Sequence, residues 1–431
     1  MRAPTHELGF KLITNENAQG YDMKAVYGLT LATALMVGCG DSGSDSDAGN
    51  TTGDANTPNT PAQEPTLSGL FKDTKTVGLD YKVGEYTGRT DELGAFKYFS
   101  EDDEITFSVG GVDIGTVKVS QVLTPIDLFV DGNSEKIDVQ NIVRFLLAID
   151  DDADPSNGIN ITEAQAEEAK NWQQLDFASA DFGSDVAAID ADLVLPTSTE
   201  AKEHIEATYK CMYSGLWRGE YGGIASEQGE NFRLTDASTG VSHSGVFSTT
   251  TPSLKIISET SAITFESDML IAEGNASHGT SIESKFPNIV ESIGTWTTTL
   301  VPGEVGTVSS DRFNKDLDYQ NRITAVLSDT ETGYSQNTKY FVAIDIKDTG
   351  EYKAAVFAFN EELLNATTVN SRIAEDYTAT GTLTAGSASF ELTDLSKKIS
   401  FTTDLSTNTV SLKDNSDSVI DSIQGGSCKL L

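Results

Sequence analysis

Histidine, cysteine and positive charge are all scarce in this sequence. Its 431 residues include 4 His, 3 Cys and 29 Lys plus Arg. No His-Glu-x-x-His pair is present to hold zinc, and no Gly-x-x-x-x-Gly-Lys-Ser/Thr loop to cradle a phosphate. Gly240-Val241-Ser242-His243-Ser244-Gly245 lacks the order of a nucleophile elbow. His6 and His278 stand apart from these, and His204, in a charged helical run, reads as a surface residue. The few cations face 66 Asp plus Glu, for a net charge of -37. A surface that acidic repels nucleic acid and anionic headgroups, which excludes a nucleic-acid partner. So many carboxylates single out no catalytic pair. Trp172, Trp217 and Trp296 read as core residues rather than a sugar-stacking platform.

Membrane-spanning length is missing too. Residues 25 to 37 form an apolar run of 13 residues, whereas a spanning helix needs about 20. Thirteen residues after Met23-Lys24 match the apolar region of a signal peptide instead. Met23 is therefore the expected start, and 1–38 the signal region. The run ends in Met36-Val37-Gly38-Cys39, which resembles the lipobox of bacterial lipoproteins. That resemblance implies diacylglyceryl and N-acyl chains on Cys39, and hence a membrane partner. Gly40, not Asp, follows Cys39, which suits sorting to the outer membrane, facing the periplasm or the cell surface. The tether, 39–67, is rich in Gly, Ser, Asp, Asn, Thr and Pro. Such a composition cannot bury enough apolar surface to offset its ordering entropy.

The fold class expected of the remainder is mainly β. A small N-terminal β-sandwich (68–135) should lead through a helical connecting segment (136–210) to a larger antiparallel barrel or sandwich (211–431). In the first module Val77, Leu79 and Tyr81, then Phe96 and Tyr98, then Ile105, Phe107 and Val109, alternate between glycine turns. Its Thr90-Asp91-x-x-Gly94-x-Phe96 turn resembles that of carboxypeptidase regulatory-like, transthyretin-like domains. Asp91 should cap this turn, Gly94 take positive φ and Phe96 return to the core. Helices are expected over the apolar run 137–149, after the Thr162–Gln165 capping box, and over 198–209.

Between the first two helices lies Asp150-Asp151-Asp152-Ala153-Asp154-Pro155-Ser156-Asn157-Gly158-Ile159-Asn160-Ile161-Thr162-Glu163. Counted from Asp152, oxygen donors fall at positions 1, 3, 5 and 12: Asp152, Asp154, Ser156 and Glu163. That is the spacing of an EF-hand loop, which would take Ca2+; the plainer reading, with no cofactor, is a solvated acidic turn in which Glu163 serves the first turn of the following helix. Gly158 at position 7 rather than 6, and Pro155 at position 4, depart from the pattern.

From Cys211 onward, short β runs recur among Thr, Ser, Gly and Asn. With Cys39 lipidated, Cys211 and Cys428 remain, the right number for one disulfide tying the first strand of this domain to its last. In order, lipobox, acidic tether, sandwich module, Asp-rich loop and a β domain opened by Cys-x-Tyr-Ser-Gly resemble a family of lipoproteins from marine γ-proteobacteria. The resemblance covers most of the chain and implies an envelope location without an activity. The expected function is a non-catalytic envelope lipoprotein that binds a periplasmic or extracellular ligand or serves a structural role. Two alternatives are a polysaccharide or peptide hydrolase using carboxylates, and a lipocalin-like carrier with a closed barrel.

Overall fold

Alternation of buried and exposed side chains organises the first folded module. Glu104–Val109 buries Ile105, Phe107 and Val109 in strict period two. This strand sits in a four-stranded sheet ordered Tyr86–Arg89, Asp80–Val83, Glu104–Val109, Val112–Lys118. A three-stranded sheet, ordered Ala95–Tyr98, Leu67–Phe71, Val122–Leu123, faces the same core. Phe107 centres that core, 4.6 Å from the Phe71 ring and 5.4 Å from that of Phe96. The module departs from a purely antiparallel design at two short ladders. Leu70–Phe71 pairs parallel with Val122–Leu123, and Thr76–Val77 parallel with Ile159–Asn160. The second is a separate two-stranded sheet that ties the module to the helical segment.

The computed structural model describes residues 64–223, 228–248, 255–261, 263–266, 269–272, 280–298, 305–317, 319–329, 338–360, 374–404 and 407–429. The signal region, Cys39 and nearly all of the tether lie outside them.

The 90–96 turn has the expected geometry. Asp91 Oδ1 accepts from the backbone N–H of Leu93 and of Ala95, each at 2.9 Å, and Gly94 has φ +76°. Helices α1 (Ile137–Ala148), α2 (Glu163–Ala169) and α3 (Phe182–Ile189) then close the module's core with Phe145, Ala169 and Phe182. The Thr162–Gln165 capping box opens α2 as expected, and a second, Thr197–Glu200, opens α4 (Ser198–Tyr213).

Helix α4 corrects the expected boundary at residue 211. It runs one turn beyond Tyr209, because Ala201, Ile205, Thr208 and Met212 continue one buried face. It stops where Ser214 turns extended and Gly215 takes φ +102°. Cys211 thus lies in the last turn of a helix, not in a strand. Its disulfide to Cys428 (Cα–Cα 5.7 Å) ties α4 to the final strand, Gly426–Lys429.

Three sheets follow, stacked as layers. The first has nine strands, ordered Lys255–Ser261, Ser242–Ser248, Gln228–Thr235, Gly215–Gly222, Val305–Arg312, Glu291–Thr298, Thr280–Asn288, Met269–Ala272, Ile263–Glu266. Its two edge strands are consecutive in the chain, separated by residue 262 alone. Chain geometry therefore brings Ser261 and Ile263 within about 7 Å, so the sheet must curl until its edges meet at one corner. The second layer has five strands, ordered Ala374–Thr382, Glu351–Asn360, Thr338–Ile346, Asn321–Asp329, Gly426–Lys429. Phe341, Phe357 and Phe359 pack on the convex face of the nine-stranded sheet, against Leu216, Phe232 and Phe247. The opposite face, with Val342, Ile344 and Val356, packs on Ile399, Phe401, Val410 and Leu412 of the third, four-stranded layer. Barrel-like curl and sandwich packing thus coexist in one region.

Candidate functional site

Side chains of one parity along the nine-stranded sheet point away from the five-stranded layer, into the curl. Four of them form a row in register: Ser244 opposite Arg233, Arg233 opposite Trp217, Trp217 opposite Arg312. Both guanidinium carbons lie 5.1 Å from the Trp217 ring centroid. Arg233 is also 5.3 Å from the Phe286 ring, and its Nη1 donates to Ser284 Oγ at 3.3 Å. In the sheet, the strands of Arg233 and Ser284 are separated by three others. Such a contact closes only over a strongly concave surface. Tyr213, at the end of α4, stacks on Phe286 at 4.1 Å, and with Ile205, Tyr209 and Met212 it packs an apolar cluster against Trp217, Trp296 and Val308 that covers one side of the hollow.

The charges here do not balance. Arg322, entering from the five-stranded layer, grips Asp345 through Nε–Oδ1 at 2.5 Å and Nη2–Oδ2 at 3.1 Å. Asn314 Nδ2 donates to the same carboxylate at 2.6 Å. Arg312 Nη2 reaches only the Ser214 carbonyl, at 3.3 Å. Among the described residues, Arg233 Nε, Arg233 Nη2 and Arg312 Nε are buried with no acceptor, as are the hydroxyls of Thr235, Ser242, Ser244 and Ser292 and the Trp296 Nε1. Burial pushes the Arg233 guanidinium down to about 10. Burial, followed by the nearby Arg322 charge, holds Arg312 well below its ordinary value. A guanidinium group is not deprotonated in proteins, so both are cationic. Arg218, one residue along from Trp217 and so on the convex face, makes the contrast: Glu230 lies at 2.7 Å and Asp376 at 2.8 Å.

A cleft of about 430 Å³ is lined by Glu220, Tyr221, Gly222, Gly229, Glu230 and Thr307 to Ser309. Tyr221 and Val308 also belong to the concave face, where Tyr221 lies 6.2 Å from the Trp296 ring. Trp217 and Trp296 are buried and Trp172 packs at the edge of the first core.

The Asp-rich loop is organised by its own backbone. Asp152 accepts from Asp154 N at 2.9 Å and Asn157 Nδ2 at 2.8 Å. Asp154 caps the short 3-10 turn by accepting from Ser156 N at 3.1 Å. Glu163 is the first residue of α2. The carboxylates brought together are Asp150, Asp151 and Asp152, with ligand atoms within 4.8 Å of one another; Asp154 and Glu163 are not in that group. Asp150 is 6 % exposed, its Oδ1 accepts from Asn160 N, and its Oδ2 has no donor. Burial, then Asp152 and Asp151, raise its pKa.

His204 is not the surface residue its charged neighbours suggest. Its Nε2 lies 3.2 Å from Asp73 Oδ1 of the first module, and Asp73 is fully buried. Burial alone lowers the His204 pKa, but the Asp73 carboxylate outweighs it and the net shift is upward. A folded value above the unfolded one, near 6.5, stabilises fully below about pH 6.5, and that gain is lost as pH rises through the folded value. His204→Gln should therefore cost about 1.5–3 kcal/mol at pH 5.5 and much less at pH 9, measured as urea midpoints. An equal cost at both values would show that the imidazolium charge plays no part.

No protein-family profile matches this chain, and no curated protein matches it. Among solved structures, a Nostoc punctiforme protein of unknown function from the DUF3598 family is similar at 9% identity over 52% of this chain and 98% of its own, with a TM-score of 0.18. A likeness at that score carries no structural argument.

Proposed function

We propose that this protein is a non-catalytic binding protein of the bacterial envelope, tethered through lipid on Cys39, whose curled nine-stranded sheet holds a small ligand. The observation that carries the binding role is the concave face itself. Its buried polar atoms lack partners in number, and native interiors rarely leave such groups unmatched without a functional reason. The hydrolase alternative gains nothing here, since Asp345 is held by Arg322 and Asn314 rather than free to move a proton. A lipocalin-like carrier is the nearest of the expected alternatives, with buried arginines and hydroxyls set among an apolar lining.

Two measurements test the reading. Cys39→Ser should move the protein from the membrane to the soluble fraction; wild-type protein that is already soluble removes the tether. Native mass spectrometry of protein released gently from membranes should show a bound small molecule. Stripping it should change the emission of a Trp172→Phe variant, whose remaining Trp217 and Trp296 both face the hollow. A single ligand-free mass with unchanged emission would remove the binding role.

A divalent cation at the Asp150–Asp152 turn is a second reading, favoured by the buried, donorless Asp150 Oδ2. Millimolar Ca2+ should then raise the melting temperature by mass action, more than Mg2+ does, and Asp150→Asn with Asp152→Ala should abolish the difference. Equal shifts from both ions in both proteins would reduce the turn to a screened acidic surface.

A further inference from the structure

The structure also speaks to what the hollow holds. Resting on the binding role above, we propose that Arg233 and Arg312, placed on either side of Trp217, receive the oxyanion of a small molecule: a carboxylate or a phosphate.

The charge count comes first. Three guanidinium groups, of Arg233, Arg312 and Arg322, meet one carboxylate, Asp345, and that carboxylate is already held bidentately by Arg322. Arg233 and Arg312 are 4 % and 3 % exposed and form no ion pair among the described residues. Arginine is seldom buried that deeply without a partner, because an uncompensated buried charge is strongly destabilising. A chain with 66 acidic residues had carboxylates to place there, as it did beside Arg218.

The donors come second. Arg233 Nε and Nη2 and Arg312 Nε are open, and Ser244 stands across the ladder from Arg233 with a free hydroxyl. All are hydrogen-bond donors in or next to one register row. Guanidinium forks and hydroxyls are the groups that bind a carboxylate or phosphate through charge-assisted hydrogen bonds. A cation or a neutral amide would leave the arginines unneutralised. The Trp217 and Phe286 rings lie 5.1 and 5.3 Å from the Arg233 guanidinium carbon and restrain it, so little side-chain freedom is lost on binding.

Specificity for charge should show against matched probes. Mature full-length protein in nonionic detergent is titrated calorimetrically with benzoate, phosphate and, as a neutral isostere, benzamide. Benzoate or phosphate should bind saturably and raise the melting temperature relative to chloride at equal ionic strength. The stronger of the two identifies the oxyanion. Arg233→Met, which keeps the bulk and removes the charge, should weaken that binding about tenfold or more. Arg233→Lys, which keeps the charge and loses the fork, should fall between them and guards against a folding defect in the Met variant. Benzamide binding as well as benzoate would overturn the anion assignment and leave the binding role standing. No anion-specific heat, with equal melting shifts in wild type and Arg233→Met, would mean an interior holding water only and would end the proposal.

Discussion

Replacing Cys211 and Cys428 together by Ala is expected to lower folding stability by roughly 5 kcal/mol. The bond spans a sequence separation of 217 residues, so its loss returns a large loop entropy to the unfolded chain. The native geometry gives no reason for the full effect to be missed. The bond joins the last turn of α4 to Gly426–Lys429, the edge strand that pairs with Asn321–Thr324. Without it that short strand keeps its ladder and a few peripheral hydrogen bonds, such as Lys429 Nζ to the Ser156 carbonyl at 3.0 Å. Urea unfolding of the double variant under oxidising conditions should match wild type in reductant, and reductant should not shift the variant further. A loss below about 1 kcal/mol would mean that the unfolded chain is already constrained there.

Changing Asp345 to Asn should destabilise the protein by about 3–5 kcal/mol. Asp345 is 2 % exposed and is the anion that Arg322 grips, close enough to Arg312 to oppose the lowering of its pKa. Asn keeps the shape and a hydrogen-bonding oxygen but leaves three buried cations facing one another. Removing a cation at the same time should help: Asp345→Asn with Arg322→Met should cost less than the two single changes summed. Additive losses would show that the two side chains act independently, against the geometry.

Local chemistry was the most legible part of the sequence. Asp91, Gly94 and Phe96 act within one turn, and Thr162 and Gln165 within one helical start, so neighbours in sequence suffice to define them. The two cysteines were readable by elimination. The end of α4 was not, because Lys210 to Tyr213 carry no stop signal before Ser214-Gly215 and a Cys in a β-rich stretch reads as strand. His204 was misread because its partner, Asp73, lies in another module. The arginine row was invisible for a different reason. Arg233 lies between Phe232 and Leu234, which mark one face as core, and alternation then assigns Arg233 to solvent. Only the curl of the sheet, set by strand order, turns that outer face inward. The continuous apolar runs 340–344 and 354–359 belong to strands covered on both sides, the position of the middle layer.

The strand order of the five-stranded layer has a consequence for timing. Its Asn321–Asp329 strand waits for Gly426–Lys429, and the intervening chain builds the whole four-stranded layer first. The middle of the stack is therefore completed by a strand that follows the whole four-stranded layer in the chain. Until it arrives, Cys211 has no partner and one edge of the central sheet stays open to other chains. The nine-stranded sheet, complete by Arg312, has no such wait. The hollow with its arginine row can thus assemble before the disulfide closes, and the bond locks a sheet that is already in place.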